Sequence, residues 1–228
     1  MSEFAAGPAG RIERVRALMV ERGYDAIVVR DEANLRWLTG VKGVFDYTFE
    51  FPHAAFITAD QCLFHTDSRY LNSFEENTPA GSPWVYDMGE GTIPGWVAGK
   101  IAANKCRVCA VEDDMQINFY QGIQRGLEDR SVACMLPLMH DDIRKMRAIK
   151  DAEEIELMRH AQSITDAAFQ HMLGFIKPGM TEKQVRNELE NFMFANGADS
   201  LAFGSIVASG PNTANPHAVP SDRVIEKG

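Results

Sequence analysis

A histidine near the end of the chain stands where a functional side chain would be expected. His217 lies between Pro216 and Ala218 in a loop rich in turn-forming residues, just after the apolar run 203–210, which predicts a buried strand. Rigid loops held on a scaffold are where binding and catalytic side chains concentrate, and an imidazole can exchange a proton near neutral pH. A lone loop histidine commonly has no function, so chemistry alone leaves both interpretations open.

Two other groups of residues could bind a metal or carry out redox chemistry. Cys106 and Cys109 form a C-x-x-C at a predicted buried strand, where residues three apart point to opposite faces. No second C-x-x-C completes a four-ligand site, which favours structural thiols over metal binding or redox activity. His65 and Asp67 are two residues apart and could face the same way, but a turn at the end of a strand is the more ordinary explanation.

The common sequence signatures of nucleotide binding and hydrolysis are missing. The chain has no glycine-rich dinucleotide loop, no phosphate-binding loop, no H-E-x-x-H helix and no G-x-S-x-G nucleophile elbow. The loop around His217 therefore stays a candidate for chemistry, and its position depends on the strands and helices of the chain.

Strands and helices alternate over roughly the first 140 residues, which predicts an α/β layer structure. Two apolar runs that flank the turn at 59–61 predict a hairpin. We expect helices over 10–23, 92–104 and 116–128, a hairpin of 53–58 with 62–67, and strands at 24–31, 84–88, 107–112 and 132–137.

The sequence changes character near 141–150, where long amphipathic helices begin. Asp151 with Glu154, and Thr181 with Gln184, have the spacing of capping boxes, which predicts that a helix starts at each pair. Only one predicted strand, 203–210, follows these helices. One strand cannot form a sheet, and its backbone groups need partners. We therefore expect another chain, or further residues of a longer protein, to cover this part.

Composition limits the function to a few classes. The 228 residues carry a formal charge of −9, which argues against nucleic acid or an anionic membrane as the main partner. The N-terminal residues do not have the pattern of a signal sequence or an anchor. The 4 cysteines are too few for a disulfide framework. A cytoplasmic location is therefore expected. Chemistry on a small molecule or a peptide is favoured.

Five segments, in this order, are similar to those of the pita-bread metallopeptidases. The resemblance is greatest to Xaa-Pro aminopeptidases and prolidases, which share their architecture with creatinase, and it runs nearly from end to end of the chain. The segments are LRWLTG (35–40), HTDSRY (65–70), IRKMRAIKDAEEIELMRHA (143–161), KPGMTEKQV (177–185) and FGSIVASGPNTANPHAVPSDRVIEKG (203–228).

The resemblance implies a fold and a division into domains. A creatinase-type α/β domain, with a mixed sheet and flanking helices, is expected over 1–141. The incomplete start of an α+β pita-bread catalytic domain is expected over 142–228. Family members often pair through the N-terminal domain, so the resemblance makes a homodimer an expectation.

The resemblance also implies an activity. The family cleaves peptides or dipeptides next to proline with two divalent metal ions, often manganese, held by two aspartates, a histidine and two glutamates. All five ligands are expected beyond the position of Gly228, so these residues alone should be inactive and hold no metal ligand. His217 matches the family's histidine that hydrogen-bonds the substrate near the scissile carbonyl and stabilises the tetrahedral intermediate. Phe203 and Ser205 are expected to line or support the neighbouring substrate pocket.

Two alternatives of different classes stay open. The chain could be a relative without metal ligands that acts as a binding or assembly module. It could also keep the fold with different chemistry, as a creatinase-like C–N hydrolase or a lyase. The acidic and aromatic stretch 43–53 matches no family segment, which leaves the choice of substrate open.

Overall fold

A computed structural model of the protein describes residues 7–42, 52–89 and 91–227. Contacts divide the chain into two compact units, Met1–Ile149 and Lys150–Gly228. Helix α6 (Asp142–Ala148) belongs to the first unit, because its Ile143 is buried in that unit's core. The contact boundary at 149 therefore lies later in the chain than the domain limit at 141 that the sequence predicts. Most of the unassigned stretch, 43–51, lies outside the described residues.

The first unit is built on a mixed sheet of five strands: β1 (Ala26–Val29), β2 (Ala54–Thr58), β3 (Cys62–His65), β4 (Val85–Asp87) and β5 (Cys109–Val111). Their order in the sheet is β4-β3-β2-β1-β5. β1 pairs in parallel with β5 and antiparallel with β2, while β2 and β3 form the predicted antiparallel hairpin. β4 joins the edge in parallel with β3. This sheet confirms the predicted α/β fold.

Helices cover both faces of this sheet and create two cores. The central strand β1 is buried throughout, with Ile27 and Val29 in one core and Ala26 and Val28 in the other. This alternation is what the period of a strand requires. The first core receives α1 (Gly7–Arg22), α2 (Glu32–Thr39), α3 (Leu71–Asn77) and α6, and the second receives α4 (Ile93–Ala103) and α5 (Ile117–Glu128).

The prediction of a strand over 132–137 is wrong, because this segment makes only isolated bridges to the edge of the sheet. Met135 pairs with Val108, and the carbonyl of Pro137 accepts a hydrogen bond from the Val111 amide at 2.9 Å. Proline has no amide hydrogen to return, so a continuous ladder does not form there.

The second unit consists mainly of two helices, α7 (Ala152–Phe175) and α8 (Glu182–Ala195), and a short 3-10 helix (Gly210–Ala214). Both predicted capping boxes are confirmed: Asp151 with Glu154 starts α7, and Thr181 with Gln184 starts α8. The apolar side of the amphipathic helix α7 is only partly buried. Ile164, Ala168 and Met172 are buried, while Met158 is 57% exposed.

The strand predicted over 203–210 is also wrong. These residues form no ladder, and no strand among the described residues of the second unit lies beside them. Ile206 is 44% exposed. An apolar run becomes a strand only where a neighbouring strand accepts its hydrogen bonds, and local sequence does not supply that neighbour. Among the described residues, no helix combines the length and the apolar character needed to cross a bilayer.

Candidate functional site

The three residues that the sequence predicts as a site line one pocket of the second unit. His217, Phe203 and Ser205 border a cavity of about 590 Å³, together with Arg186 and Glu190 of α8. His217 and Phe203 come from different turns of the chain, so their approach is a result of the fold. The geometry brings the predicted residues together, and their individual roles stay predictions.

The His217 loop is ordered by short-range hydrogen bonds. The backbone amide of His217 donates to the Asn215 side-chain oxygen at 3.0 Å, and the Ala218 amide donates to the Asn215 carbonyl at 3.1 Å. Ala218 and Pro220 are buried, whereas the His217 side chain is exposed. The buried neighbours anchor the loop, and the imidazole is left available to a bound molecule.

The pocket combines an apolar wall with charged groups on one helix. Phe203 is 71% exposed and Val219 is 81% exposed, so both present apolar surface. The Arg186 guanidinium donates to the Asn187 side-chain oxygen at 2.7 Å, and Glu190 lies one helical turn further along α8. A molecule with an apolar side chain and a polar or charged end would match this arrangement.

A buried carboxylate that the sequence analysis missed ties the loop to α8. Glu182, the first residue of α8, has no exposed surface. Its carboxylate accepts hydrogen bonds from the amide and hydroxyl of Ser209 (2.7 and 2.9 Å) and of Ser221 (3.0 and 2.7 Å). The Asn212 side-chain amide donates to both carboxylate oxygens, at 3.0 and 3.2 Å. One side chain thus holds residues on both sides of His217.

These donors keep Glu182 ionised. The hydrogen bond from the Ser221 hydroxyl, assisted by the Ser221 and Ser209 amides and by Asn212, lowers the pKa of Glu182 to about 2 although burial opposes this. Hydrogen bonds to the charged form stabilise a carboxylate in place of water. The capping box next to it could have drawn attention to Glu182, but its partners lie 27 to 39 residues later, beyond the reach of local patterns.

The end of the chain also pairs with the start of α8. The Glu182 amide donates to the Arg223 carbonyl at 3.1 Å, and the Lys183 amide donates to the Ser221 carbonyl at 3.2 Å. The Gly179 amide donates to the Ile225 carbonyl, and the Ile225 amide donates to the Met180 carbonyl, each at 2.8 Å. Amides that a helix start leaves without internal partners are thereby satisfied.

A metal-binding set of side chains is not found in 7–42, 52–89 and 91–227, where no group of three or more His, Cys, Asp or Glu residues could hold an ion. The pocket near His217 offers one carboxylate, Glu190. The described residues therefore do not provide a donor set for the two divalent ions that the resemblance implies.

The other candidates for chemistry are structural. Cys106 and Cys109 lie in the same core, and burial raises the pKa of Cys106 to about 11 and that of Cys109 well above its usual value. The expectation that they face opposite sides is wrong, because Cys106 precedes β5 and does not follow its alternation.

His65 and Asp67 also have structural surroundings. His65 is buried with Nδ1 3.1 Å from the Pro52 carbonyl, and Asp67 pairs with Arg69 at 2.7 Å, which fits a strand-end turn.

Comparisons with known proteins match both units. Residues 11–149 match the model of the creatinase/prolidase N-terminal domain, and residues 156–228 match that of metallopeptidase family M24. The uncharacterized peptidase YqhT of Bacillus subtilis is 32% identical over 218 residues, which make up 96% of this chain and 58% of that protein.

Two solved structures extend the comparison to the fold. An Xaa-Pro dipeptidase from Bacillus anthracis is similar with a TM-score of 0.81 and 32% identity, over 96% of this chain and 57% of that chain. An X-Pro aminopeptidase from Thermotoga maritima is similar with a TM-score of 0.77 and 28% identity, over 96% of this chain and 58% of that chain. The chain thus spans somewhat more than half the length of each of these proteins.

Proposed function

Because the chain belongs to the creatinase/prolidase family and its residues 156–228 match metallopeptidase family M24, we propose that it is the front part of a metal-dependent exopeptidase specific for proline. Its reaction would be hydrolysis of the peptide bond between an N-terminal residue and proline. The observation that carries this proposal is the meeting of His217, Phe203 and Ser205 at one pocket, in the unit that matches the peptidase domain.

His217 has the setting of a hydrogen-bond donor to the substrate. Its loop is fixed by Asn215 and Glu182 while its imidazole is exposed, so a substrate carbonyl can approach without moving the backbone. A donor held in advance at the place where an oxyanion develops stabilises the transition state more than the ground state.

Phe203 and Ser205 would form the wall next to this donor. The exposed ring of Phe203 offers apolar surface to a proline ring or to an aliphatic side chain. Arg186 and Glu190, which also line the pocket, could pair with a carboxylate or with the amino group of a short peptide. A proline dipeptide combines charged termini with an apolar body and would match both kinds of group in this pocket.

The metal part of the proposed reaction requires residues other than those described. Two divalent ions, for which we propose manganese, would lower the pKa of a bound water and polarise the scissile carbonyl. We propose that the ligands follow Gly228 in the complete protein and that residues 1–228 by themselves are inactive. The chain supplies the substrate-binding histidine, the neighbouring pocket wall and the N-terminal domain.

A substrate panel tests the reaction class. The product of the complete reading frame that contains this chain is assayed with manganese on an Xaa-Pro dipeptide, an Xaa-Pro-Yaa tripeptide and creatine. Hydrolysis of either proline peptide, with no attack on creatine, is the expected result, and preference between the two peptides separates a dipeptidase from an aminopeptidase. Cleavage of creatine alone would assign C–N hydrolysis on the same fold, and no turnover at all would favour a binding module.

A further inference from the structure

We infer that Glu182 is a positioning residue for His217: its buried carboxylate closes the loop 209–221 and fixes where the imidazole stands. The inference rests on the proposed function, since it gives the loop geometry a role in substrate binding. Glu182 belongs to the segment KPGMTEKQV, in which Thr181 and Gln184 form the capping box of α8.

The first step is that Glu182 holds both ends of the loop. The Glu182 Oε1 accepts hydrogen bonds from the amide and the hydroxyl of Ser209, and Oε2 accepts hydrogen bonds from the amide and the hydroxyl of Ser221. His217 lies between these two anchor points. If the carboxylate were absent, two part-buried amides and two hydroxyls would lose their acceptor together, and the ends of the loop would no longer be joined through one side chain.

The second step is a continuous set of hydrogen bonds from Glu182 to His217. Asn212 donates its side-chain amide to Glu182, and its carbonyl accepts from the Asn215 amide at 3.0 Å. The Asn215 side-chain oxygen then accepts from the His217 amide at 3.0 Å. A shift of Asn212 would therefore be transmitted to the backbone of His217 over two further hydrogen bonds.

The third step is that no neutral residue of the same shape can replace the carboxylate. Five donor groups on three residues converge on two oxygens, and both oxygens act only as acceptors. A glutamine would present an NH₂ group to one pair of these donors. The Glu182→Gln variant thus keeps the volume of the side chain and removes half of its acceptors.

Nuclear magnetic resonance of the 228-residue chain tests the inference without any assay of activity. In Glu182→Gln we expect the His217 Cε1–Hε1 signal to shift or broaden, and the amides of Ser209 and Ser221 to exchange with solvent at least tenfold faster. Amides of α7 around Ala168 should be unchanged. The control is Glu188→Gln on the same helix, which removes the carboxylate charge 2.7 Å from His171 and should leave the His217 signal in place.

A second pair of variants decides the matter if Glu182→Gln does not fold. Ser221→Ala removes only the hydroxyl donor at 2.7 Å and should move the His217 signal in the same direction by less, while Ser221→Thr retains a hydroxyl and should restore it. An unchanged His217 signal in a folded Glu182→Gln, or in Ser221→Ala when the former is unfolded, would overturn the inference. Failure of proline peptides as substrates would instead count against the proposed function and would leave this result standing.

Discussion

Two buried glutamates show how surroundings decide the charge of one residue type. Glu182 accepts hydrogen bonds from three residues on its two oxygens, and its pKa falls to about 2. Glu112, in the first unit, is 5% exposed and accepts from the amides of Arg30 and Asp31 and from the Asn34 side chain. Burial dominates there and raises the pKa of Glu112 to about 7. Around Glu112 burial, together with the nearby Asp31 carboxylate, outweighs three donor groups, whereas the five donor groups around Glu182 outweigh the effect of burial.

Glu112 should make the first unit less stable as the pH rises. Its folded pKa is above its unfolded value of 4.5, so the native state binds the proton more tightly, and the stabilisation present below pH 4.5 is lost as the pH passes 7. We expect the free energy of unfolding to fall by on the order of 1–3 kcal/mol between pH 5 and pH 8, since one pKa unit corresponds to about 1.4 kcal/mol. Urea unfolding followed by tryptophan fluorescence measures this, because Trp37, Trp84 and Trp96 all lie in the first unit.

The matched variants for this prediction are Glu112→Gln and Glu128→Gln. The first removes the titrating group and should flatten the pH dependence, although it lowers stability at every pH because the amide presents donors to Asn34. The second changes an exposed glutamate of α5 and should retain the wild-type slope. An equally steep slope in Glu112→Gln would show that another group is responsible.

At the scale of elements, helices α4 and α5 pack closely because glycines face the contact. A methyl group on Gly126 would lie 2.7 Å from the Ala98 methyl carbon. Gly126→Ala should therefore destabilise the first unit by about 1–3 kcal/mol through overpacking, although alanine favours a helix by about 1 kcal/mol. Gly99→Ala is the control, since its new methyl would meet only Arg130 at an ordinary 3.9 Å. Equal stability of the two variants in urea unfolding would contradict the close contact.

The capping box of α8 should stabilise the start of that helix. Thr181 accepts a hydrogen bond from the Gln184 amide at 3.2 Å, and Thr181→Ala should cost about 1 kcal/mol. Thr165→Ala, an exposed position within α7, should be neutral or stabilising by a few tenths of a kcal/mol. Thermal unfolding followed by circular dichroism at 222 nm compares the two, and a larger loss in Thr165→Ala would show that the cap contributes little.

Local chemistry explains which elements the sequence could predict. The capping boxes at Asp151 and Thr181 and the hairpin around 59–61 depend on residues a few positions apart, and all three are found. The predicted strand 203–210 fails because a strand needs a neighbour that local sequence does not specify. Glu182 was missed for a similar reason, since its donors are distant in the sequence. The composition of its loop drew attention to His217, whereas its role and the other two pocket residues came from a family resemblance.

At the scale of the whole molecule, the two units differ in how much apolar surface they bury. The first has a core on each face of its sheet. Among the described residues of the second, Phe169 and Leu173 of α7 are 61% and 64% exposed. The buried hydrophobic residues of the second unit are Ile164, Ala168, Met172, Val185 and Ala218.

This difference predicts unequal protection of backbone amides. Hydrogen exchange by mass spectrometry on the 228-residue chain should show strong protection in β1 and β2, and exchange at least a hundredfold faster in α7 and α8. Regions with few buried apolar contacts open at a lower free energy than a core sheet. Equal protection of both units would contradict this prediction. It would mean that the second unit is stable within residues 1–228 despite its exposed apolar side chains.

We propose that His217 belongs to the active site of a proline-specific metallopeptidase whose metal ligands lie outside these residues. The most direct measurement is manganese-dependent hydrolysis of an Xaa-Pro peptide by the complete gene product, by its His217→Ala variant and by residues 1–228. We predict that kcat/KM falls about 10²–10³-fold in His217→Ala, as for the loss of an oxyanion donor, and that residues 1–228 show no turnover. His160→Ala, which changes an exposed histidine of α7, should remain fully active. Turnover by residues 1–228 alone would contradict the proposed place of the metal ligands, and full activity in His217→Ala would contradict the proposed role of His217.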